Sequence, residues 1–294
     1  MDGITVVVPV YRGRRYLAET LDSIRKQVLA IPVEVIVVED ASPLADQAED
    51  IVRNFDASYH LLNTNRGVAY ARHYGARLSR FSDGFIMFLD QDDVLLDDAL
   101  ATMVRILEAE ANPSRNWVVC NALLRLPDGT ERPLYVTKHP SLTLSDLKMF
   151  NHIVTPSQVL IRLSSYRSCP ILPTEMEYPG ADDWILWLAL SAQSHHAVYV
   201  AEPQVLYRMH GDNVSANIPA MRQSEQYVVT KWFPQLGFSR WDQRRYRARV
   251  RLDHFIRNRH LGMIAQFTRF LAPDLPASVA ALWYFAHHRL KGLV

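Results

Sequence analysis

A chain of 294 residues with 49% hydrophobic and 10% aromatic content can bury a sizeable core, which excludes a disordered protein. A net charge of +1 excludes a globally basic nucleic-acid binder and leaves only local basic patches to be considered. Cys120 and Cys169 show no CxxC or zinc spacing and are read as reduced thiols, in preference to one disulfide.

Along the chain, strand and helix signals alternate. Ile4–Val8 is a β-branched run of the kind covered on both faces, and an amphipathic helix follows from Arg14 to Val28, with Leu17, Leu21, Ile24 and Val28 on one side. Val33–Val38 is the second strand; Ser42-Pro43 reads as a serine cap with proline in the first turn of a helix. Tyr59–Leu62 is a third strand, Gly67–Leu78 a helix and Phe85–Leu89 a fourth strand. A helix over Asp97–Glu110, headed by Asp97 and Asp98, leads to a strand at Trp117–Leu126 and a hairpin turn at Pro127-Asp128-Gly129. Gln158–Arg162, Ala197–Val200 and Val205–Met209 read as short strands, Asp182–Ala192 as a helix, and arginine- and aromatic-rich helices begin near Asn217. The N-terminus opens directly on a strand-like run without a secretory pattern, and no stretch reaches the ~20 apolar residues that span a bilayer. The expectation is a soluble or peripheral cytoplasmic protein.

This order implies parallel βαβ units in a doubly wound α/β sheet, whose ligands bind beyond the carboxyl ends of the strands. The segments at those ends are PVYR (9–12), EDAS (39–42), NTNRG (63–67) and DQDD (90–93), and they hold the chain's most unusual polar residues. Asp90 and Asp92 are two apart, which in extended chain puts both carboxylates on one side, about 6–7 Å apart. With the phosphates of a ligand they could hold one hard divalent cation; the bland alternative is that these acids cap the following helix. Tyr11 divides similarly between a ligand contact and core packing, and Arg72 between a ligand contact and a solvated helix face.

The stretches TVVVPVYRGRRYLAETLDSIRKQ, VEVIVVEDAS, NRGVAYARHYGA, FIMFLDQDDVLLDDAL and GADDWILWLAL resemble, in order and spacing, the inverting GT-A glycosyltransferases of family 2, over about residues 3 to 215. The resemblance implies a GT-A fold (Rossmann-like, with a doubly wound mixed sheet) over 1–216. That region would divide into a nucleotide-sugar half (1–98) and an acceptor half (99–216), with 217–294 as a helical C-terminal extension. It implies a nucleotide-diphospho-sugar donor, Mn2+ or Mg2+, and single displacement onto a saccharide or lipid-linked saccharide, in surface polysaccharide synthesis. Carried over by position, Asp40 binds the base, Pro9 and Tyr11 line the nucleoside pocket, and Arg72 approaches the base or the diphosphate. Asp90 and Asp92 serve the diphosphate and metal, His210 reaches the metal or diphosphate, and Asp183 is the catalytic base with Asp182 as a helix-end charge. A carboxylate at position 40 can accept the N3–H of uracil or thymine, which cytosine lacks, so UDP- or dTDP-sugars are favoured. Glu39, Ala41, His73 and Asp182 depart from the family's more usual Asp, Gly, Asn and Glu.

Between Arg240 and Arg259 lie eight arginines and two aspartates, which suit either contact with anionic lipid or a solvated face with arginine stems on the core. Nucleic acid is not an expected partner. Two other functions stay open: a sugar-1-phosphate nucleotidyltransferase, for which VPVYRGRR is a poor glycine-rich loop, and a non-catalytic nucleotide-binding scaffold of the same fold.

Overall fold

The structure, a computed structural model, describes residues 1–136, 140–170, 172–258, 270–271 and 273–290; Arg259, the last arginine of the basic run, lies outside them. The first half runs β1 (Gly3–Val10), α1 (Arg14–Arg25), β2 (Val33–Glu39), α2 (Glu49–Val52), β3 (Ser58–Leu61), α3 (Val68–Arg77), β4 (Gly84–Phe88), β5 (Val94–Leu95) and α4 (Ala99–Ala109). There follow β6 (Arg115–Arg125), β7 (Glu131–Pro133), α5 (Leu144–Leu147), β8 (Val159–Arg162), α6 (Leu163–Ser168), α7 (Asp182–Ala192) and β9 (His196–Arg208). The C-terminal helices are α8 (Ile218–Tyr227), α9 (Phe233–Gln235), α10 (Arg240–Asn258) and α11 (Leu275–Leu290).

Among the described residues one mixed sheet runs in the order β3–β2–β1–β4–β8–β6–β9–β5, with β7 paired to β6. β3, β2, β1 and β4 are mutually parallel, and β8 joins β4 antiparallel. Because β2 and β4 flank β1 on opposite sides, the loops leaving β1 and β4 part and open a crevice, the topological switch point of such sheets. The unbroken β-branched run of β1 is explained by cover on both faces. Val6 and Val8 pack with Leu17, Leu21 and Met103 in one core, and Val7 joins Phe88, Trp117 and Trp187 in the other. α7 is buried nearly all round, its Trp187 stacked on Trp117 at 5.6 Å and its Trp184 edge-on to Phe233 at 5.9 Å. The helix that begins with Asp182-Asp183 is thereby fixed from both sides.

Three local expectations change. Ser42-Pro43 does not cap a helix: a 3-10 turn spans Leu44–Asp46, and α2 starts only at Glu49. The Ser42 hydroxyl instead donates to Glu39 and accepts the Arg12 N–H at 2.8 Å, because the fully buried Glu39 carboxylate must be solvated by protein. Asp97 and Asp98 make no side-chain cap on α4; Asp98 turns the chain in the left-handed region at φ 58°. The two short strands at 197–200 and 205–209 are one strand, β9, whose Pro203 lies at a register irregularity opposite Asn121, where a missing N–H is tolerated.

Gly75 of α3 faces β1 so closely that an added Cβ would lie 2.5 Å from Val7 Cγ1. Helix propensity alone favours Gly75→Ala by ~1 kcal/mol, whereas overpacking a buried contact costs about 1–3 kcal/mol. We expect a net loss of stability in denaturant unfolding. A gain would mean that α3 can move off the sheet without cost.

Candidate active site

The strand ends do converge. Asp40 follows β2 directly, and its buried carboxylate accepts the backbone N–H groups of Arg66 (2.8 Å) and Gly67 (2.7 Å), which pins the turn into α3. A carboxylate has about four acceptor positions, so these two bonds leave room for a further donor. Arg12 and Ala41, at the ends of β1 and β2, both adopt φ 53°. That left-handed turn explains why a glycine-like position recurs at 41 and directs Asp40 inward. Pro9 is buried in β1 opposite Val38 and forms wall rather than surface. Tyr11 is 43% exposed, which removes the core-packing alternative. Its main chain is clasped by Gln91: Tyr11 N–H donates to Oε1 at 2.9 Å, and Nε2 donates to the Tyr11 carbonyl at 3.2 Å. An added Cβ at Gly13 would lie 2.2 Å from Gln91 Oε1, so a larger residue there would displace the Gln91 clasp.

Arg72 is buried, which overturns the solvated-face reading. Its guanidinium donates to Asp182 at 2.5 Å and to Asp90 at 2.6 Å, bridging the β4 end to the head of α7. The buried Nε has no partner among the described residues. Asp182, in the first turn of α7, is therefore half of an ion pair rather than a solvated end charge.

Asp92 points the other way. Its Oδ2 lies 2.7 Å from His210 Nε2, while His210 Nδ1 accepts the Asp212 N–H at 3.3 Å, which makes Nε2 the donor to Asp92. The Tyr16 ring packs against the His210 ring at 5.0 Å, tilted by 32°. Burial and the nearby Asp90 raise the Asp92 carboxyl above its usual range. Asp93 is fully buried, with Thr155 Oγ donating to it at 2.8 Å and the Arg208 N–H at 3.3 Å; burial, then Asp92 and Asp90, push it well above the ordinary value. Among the described residues no three His, Cys, Asp or Glu side chains form a self-contained metal cage. A hard cation that takes most of its ligands from water and phosphate needs only one or two from protein; Asp92 fits that requirement, and His210 would join it only by giving up the Nε2 proton it now donates to Asp92.

Asp183 stands on the far side of Arg72. Its Oδ1 accepts the Trp184 N–H at 2.7 Å and the Asn151 side-chain amide at 3.3 Å. Burial, then the neighbouring Asp182, raise it from 3.8 to about 7, against the opposing pull of Arg72. His73, where an asparagine was the more usual residue, is buried against the Tyr166 hydroxyl, and burial lowers its pKa to about 3, so it packs as a neutral ring. A cavity of about 430 Å³ lies beside these groups, lined in part by Arg66, Gly67, Val68, Glu175, Met176 and Asp182.

The structure thus gathers Tyr11, Asp40, Arg72, Asp90, Asp92, Asp183 and His210 around the ends of β1, β2 and β4. Sequence reasoning missed Gln91, Asn151, Thr155 and Ser157, whose hydroxyl accepts the Asp90 N–H at 3.0 Å. Thr155 with Gln158 forms a capping box, and the string TPSQ ahead of an apolar run was a legible signal for it. Asn151 had no signal, because its contact with Asp183 is made across 32 positions.

Comparison with known proteins agrees with this arrangement. Residues 5–136 match the model of Glycosyl transferase family 2. The putative teichuronic acid biosynthesis glycosyltransferase TuaG of Bacillus subtilis is 28% identical over 222 residues, 73% of this chain and 82% of TuaG. Residues 5–136 thus carry a glycosyl transferase family 2 domain. Glycosyltransferase GlyA of Streptococcus pneumoniae is 34% identical over 116 residues, which cover 38% of this chain and 16% of GlyA. The minor teichoic acid biosynthesis protein GgaB of Bacillus subtilis is 29% identical, and the match spans 12% of its length. Among solved structures, S. aureus TarS superposes with a TM-score of 0.61 at 17% identity, covering 98% of this chain and 53% of that chain. The mannosyltransferase PcManGT from Pyrobaculum calidifontis, solved with GDP-Man and Mn2+, gives a TM-score of 0.60 at 19% identity, covering 97% and 80%. The fold is that of this family's GT-A members, with C-terminal helices added.

The raised Asp183 has a consequence for stability. Its folded pKa of about 7 exceeds its unfolded value, so the folded state holds the extra proton between about pH 4 and 7. Stability is therefore highest at the acid end of that window and falls as pH rises through it. Asp183→Asn removes this dependence, so the variant should gain on wild type by up to ~1.4 kcal/mol per pH unit across the window and level off above it. Urea unfolding of both proteins at several pH values measures this; a pH-independent difference would return Asp183 to an ordinary carboxylate.

Proposed function

We propose that the chain is a metal-dependent inverting glycosyltransferase. It moves a sugar from a nucleotide-diphospho-sugar, UDP- or dTDP-linked by preference, to a saccharide or lipid-linked saccharide during surface polysaccharide synthesis at the cytoplasmic side. In this reading 1–216 is the transferase domain and 217–294 an extension that braces α7 through Phe233 and Tyr246. One observation carries it: Arg72 ties Asp90, neighbour of the Asp92–His210 pair, to Asp182, neighbour of Asp183. A donor-side acid cluster and an acid titrating near neutrality are thereby set on opposite sides of one cation, as single displacement requires. The family match supports the reaction class, and the relatives' names support the kind of polymer: GgaB is named for minor teichoic acid and TuaG for teichuronic acid. The structural neighbours TarS and PcManGT were solved with UDP-GlcNAc and with GDP-Man and Mn2+ respectively.

Asp40 accepts the base N3–H while the Arg66 and Gly67 amides hold its carboxylate in place. Tyr11 presents an exposed ring to the nucleoside from a main chain that Gln91 fixes. Asp92 and His210 would hold a divalent ion, Mn2+ or Mg2+, whose role when bound is to neutralise the diphosphate as it leaves. Asp183, oriented by Asn151, takes the acceptor hydroxyl proton late in the reaction, because a sugar hydroxyl is too weak an acid to ionise first. Its pKa near 7 suits a base working near neutrality and also argues against a catalytically empty scaffold, which has no use for an acid whose charging costs stability.

Asp92→Ala should abolish the melting shift produced by UDP or dTDP with Mn2+; a shift equal to wild type would remove Asp92 from the donor site. Asp183→Asn should bind donor normally yet transfer about 10²–10⁴-fold more slowly. The product's anomeric configuration, read by proton NMR, should be opposite to the donor's. Retention, or a mutant rate close to wild type, would overturn the mechanism.

A further inference from the structure

Helix α11 carries a surface that the transferase chemistry does not use. From Leu275 to Ala286 it has no charged residue. Ala277, Ser278, Ala281 and Tyr284 are buried on its inner side, against Ala248, Leu252 and Phe270. Its outer side is apolar as well: Leu275 is 56%, Val279 54% and Trp283 67% exposed. Pro276 and Ala286 are exposed on that side too. Spacings of four, four and three residues place 275, 279, 283 and 286 on one stripe along the helix. Helices that face water keep charged or polar residues on the outer stripe, and this one has none.

The neighbouring helix supplies the charge. α10 holds seven arginines against two aspartates, and Arg240, Arg244 and Arg247 are exposed at helical spacing. Arg244 bonds Asp274 at 2.6 Å, immediately before Leu275, and lies over the ring of the half-exposed Trp241 at 5.3 Å. Basic, aromatic and aliphatic groups therefore adjoin at the head of the stripe. A second copy of the same face would bring arginines against arginines, which like-charge repulsion opposes. An anionic lipid surface complements both the apolar stripe and the arginines. Among the described residues no helix is long and apolar enough to cross a membrane, so α11 would lie on the surface rather than span it.

Its position gives the contact a purpose. Tyr284 OH and His152 Nε2 are hydrogen-bonded at 3.4 Å, and Arg249 lies over Phe150 at 4.4 Å. Between those two residues sits Asn151, which donates to Asp183. Phe150 and Val154, on either side of Asn151 in sequence, are 38% and 42% exposed.

We propose that the outer face of α11, with the exposed arginines of α10, docks on an anionic lipid bilayer. The acceptor of the proposed transfer is then a saccharide carried on lipid. This rests on the transferase reading for its purpose, but the docking itself does not.

The test is flotation of the full chain with phosphatidylcholine vesicles, with and without phosphatidylglycerol. Wild type should float with the anionic vesicles at low salt and detach as salt rises, because exposed charges are screened beyond about 10 Å at 0.1 M. The double variant Val279→Glu, Trp283→Glu should keep the wild-type melting temperature and bind at least about tenfold less. Wild type that stays unbound at low salt, or a variant that floats equally well, overturns the proposal. So does a wild-type dimer that the variant converts to monomer, because a second copy then covers the face. Donor hydrolysis in solution separates the two readings. Flotation without any turnover sinks the transferase and leaves the docking intact; turnover without flotation does the reverse.

Discussion

The site depends on one buried cation. Arg72 leaves α3 between two acidic loops that would otherwise repel each other, and its guanidinium takes one carboxylate from each. Removing either partner of a buried pair leaves an uncompensated charge, which costs far more than the pair contributes, so the arrangement is rigid for electrostatic reasons. The position of the cation follows from packing. α3 can bring Arg72 this deep because Gly75, one turn later, lets the helix backbone approach Val7 of β1. A close backbone contact thus sets a charge contact one turn away on the same face of the helix.

The same tether separates two acids that share a local environment. Asp182 and Asp183 are adjacent at the head of α7, yet Arg72 bonds only Asp182. Asp183 is left with burial, a neighbouring negative charge and an amide from Asn151, and its pKa rises to about 7. Different surroundings for adjacent carboxylates are how one site can hold a permanent ion pair beside a group that exchanges protons near neutrality. Further along the crevice the same logic sorts Asp93 from Asp92. Asp93 is buried behind Thr155 and serves structure, whereas Asp92 faces His210 at the opening.

The C-terminal helices also bear on the site. Trp184 of α7 is wedged between Leu147, whose carbonyl accepts its indole N–H at 2.7 Å, and the rings of Phe233 and Tyr246. The head of α7 cannot shift without disturbing that cluster, so Asp183 is held by residues 50 and 63 positions downstream. The arginine-rich α10 packs one side on the core and keeps part of its charge outward. Tyr246 and Leu252 are buried in the core, Arg249 pairs with Asp253, and Arg240 and Arg247 face outward.

Local patterns were legible in the sequence wherever one period dominated. The β-branched run of β1, the α1 stripe as far as Ile24 and the apolar α7 follow from alternation and helical spacing, and α7 begins and ends where its pattern does; the expected last member of the α1 stripe, Val28, lies beyond the helix end and is 77% exposed. The convergence of the strand-end loops was legible too, because parallel βαβ topology leaves them no other edge. Short elements were not: β5 has two residues and owes its existence to pairing with β9. The Ser42 cap failed because a buried Glu39 elsewhere in the fold claimed the hydroxyl first. Arg72 shows the division most clearly. Its residue type and helix were plain from the sequence, but its role required partners 18 and 110 positions away, brought within 2.6 Å only by the packed sheet. Sequence determines which groups are available and which local structure carries them; tertiary packing alone decides which charges meet, because burial and distance set the sign and size of every electrostatic interaction in the site.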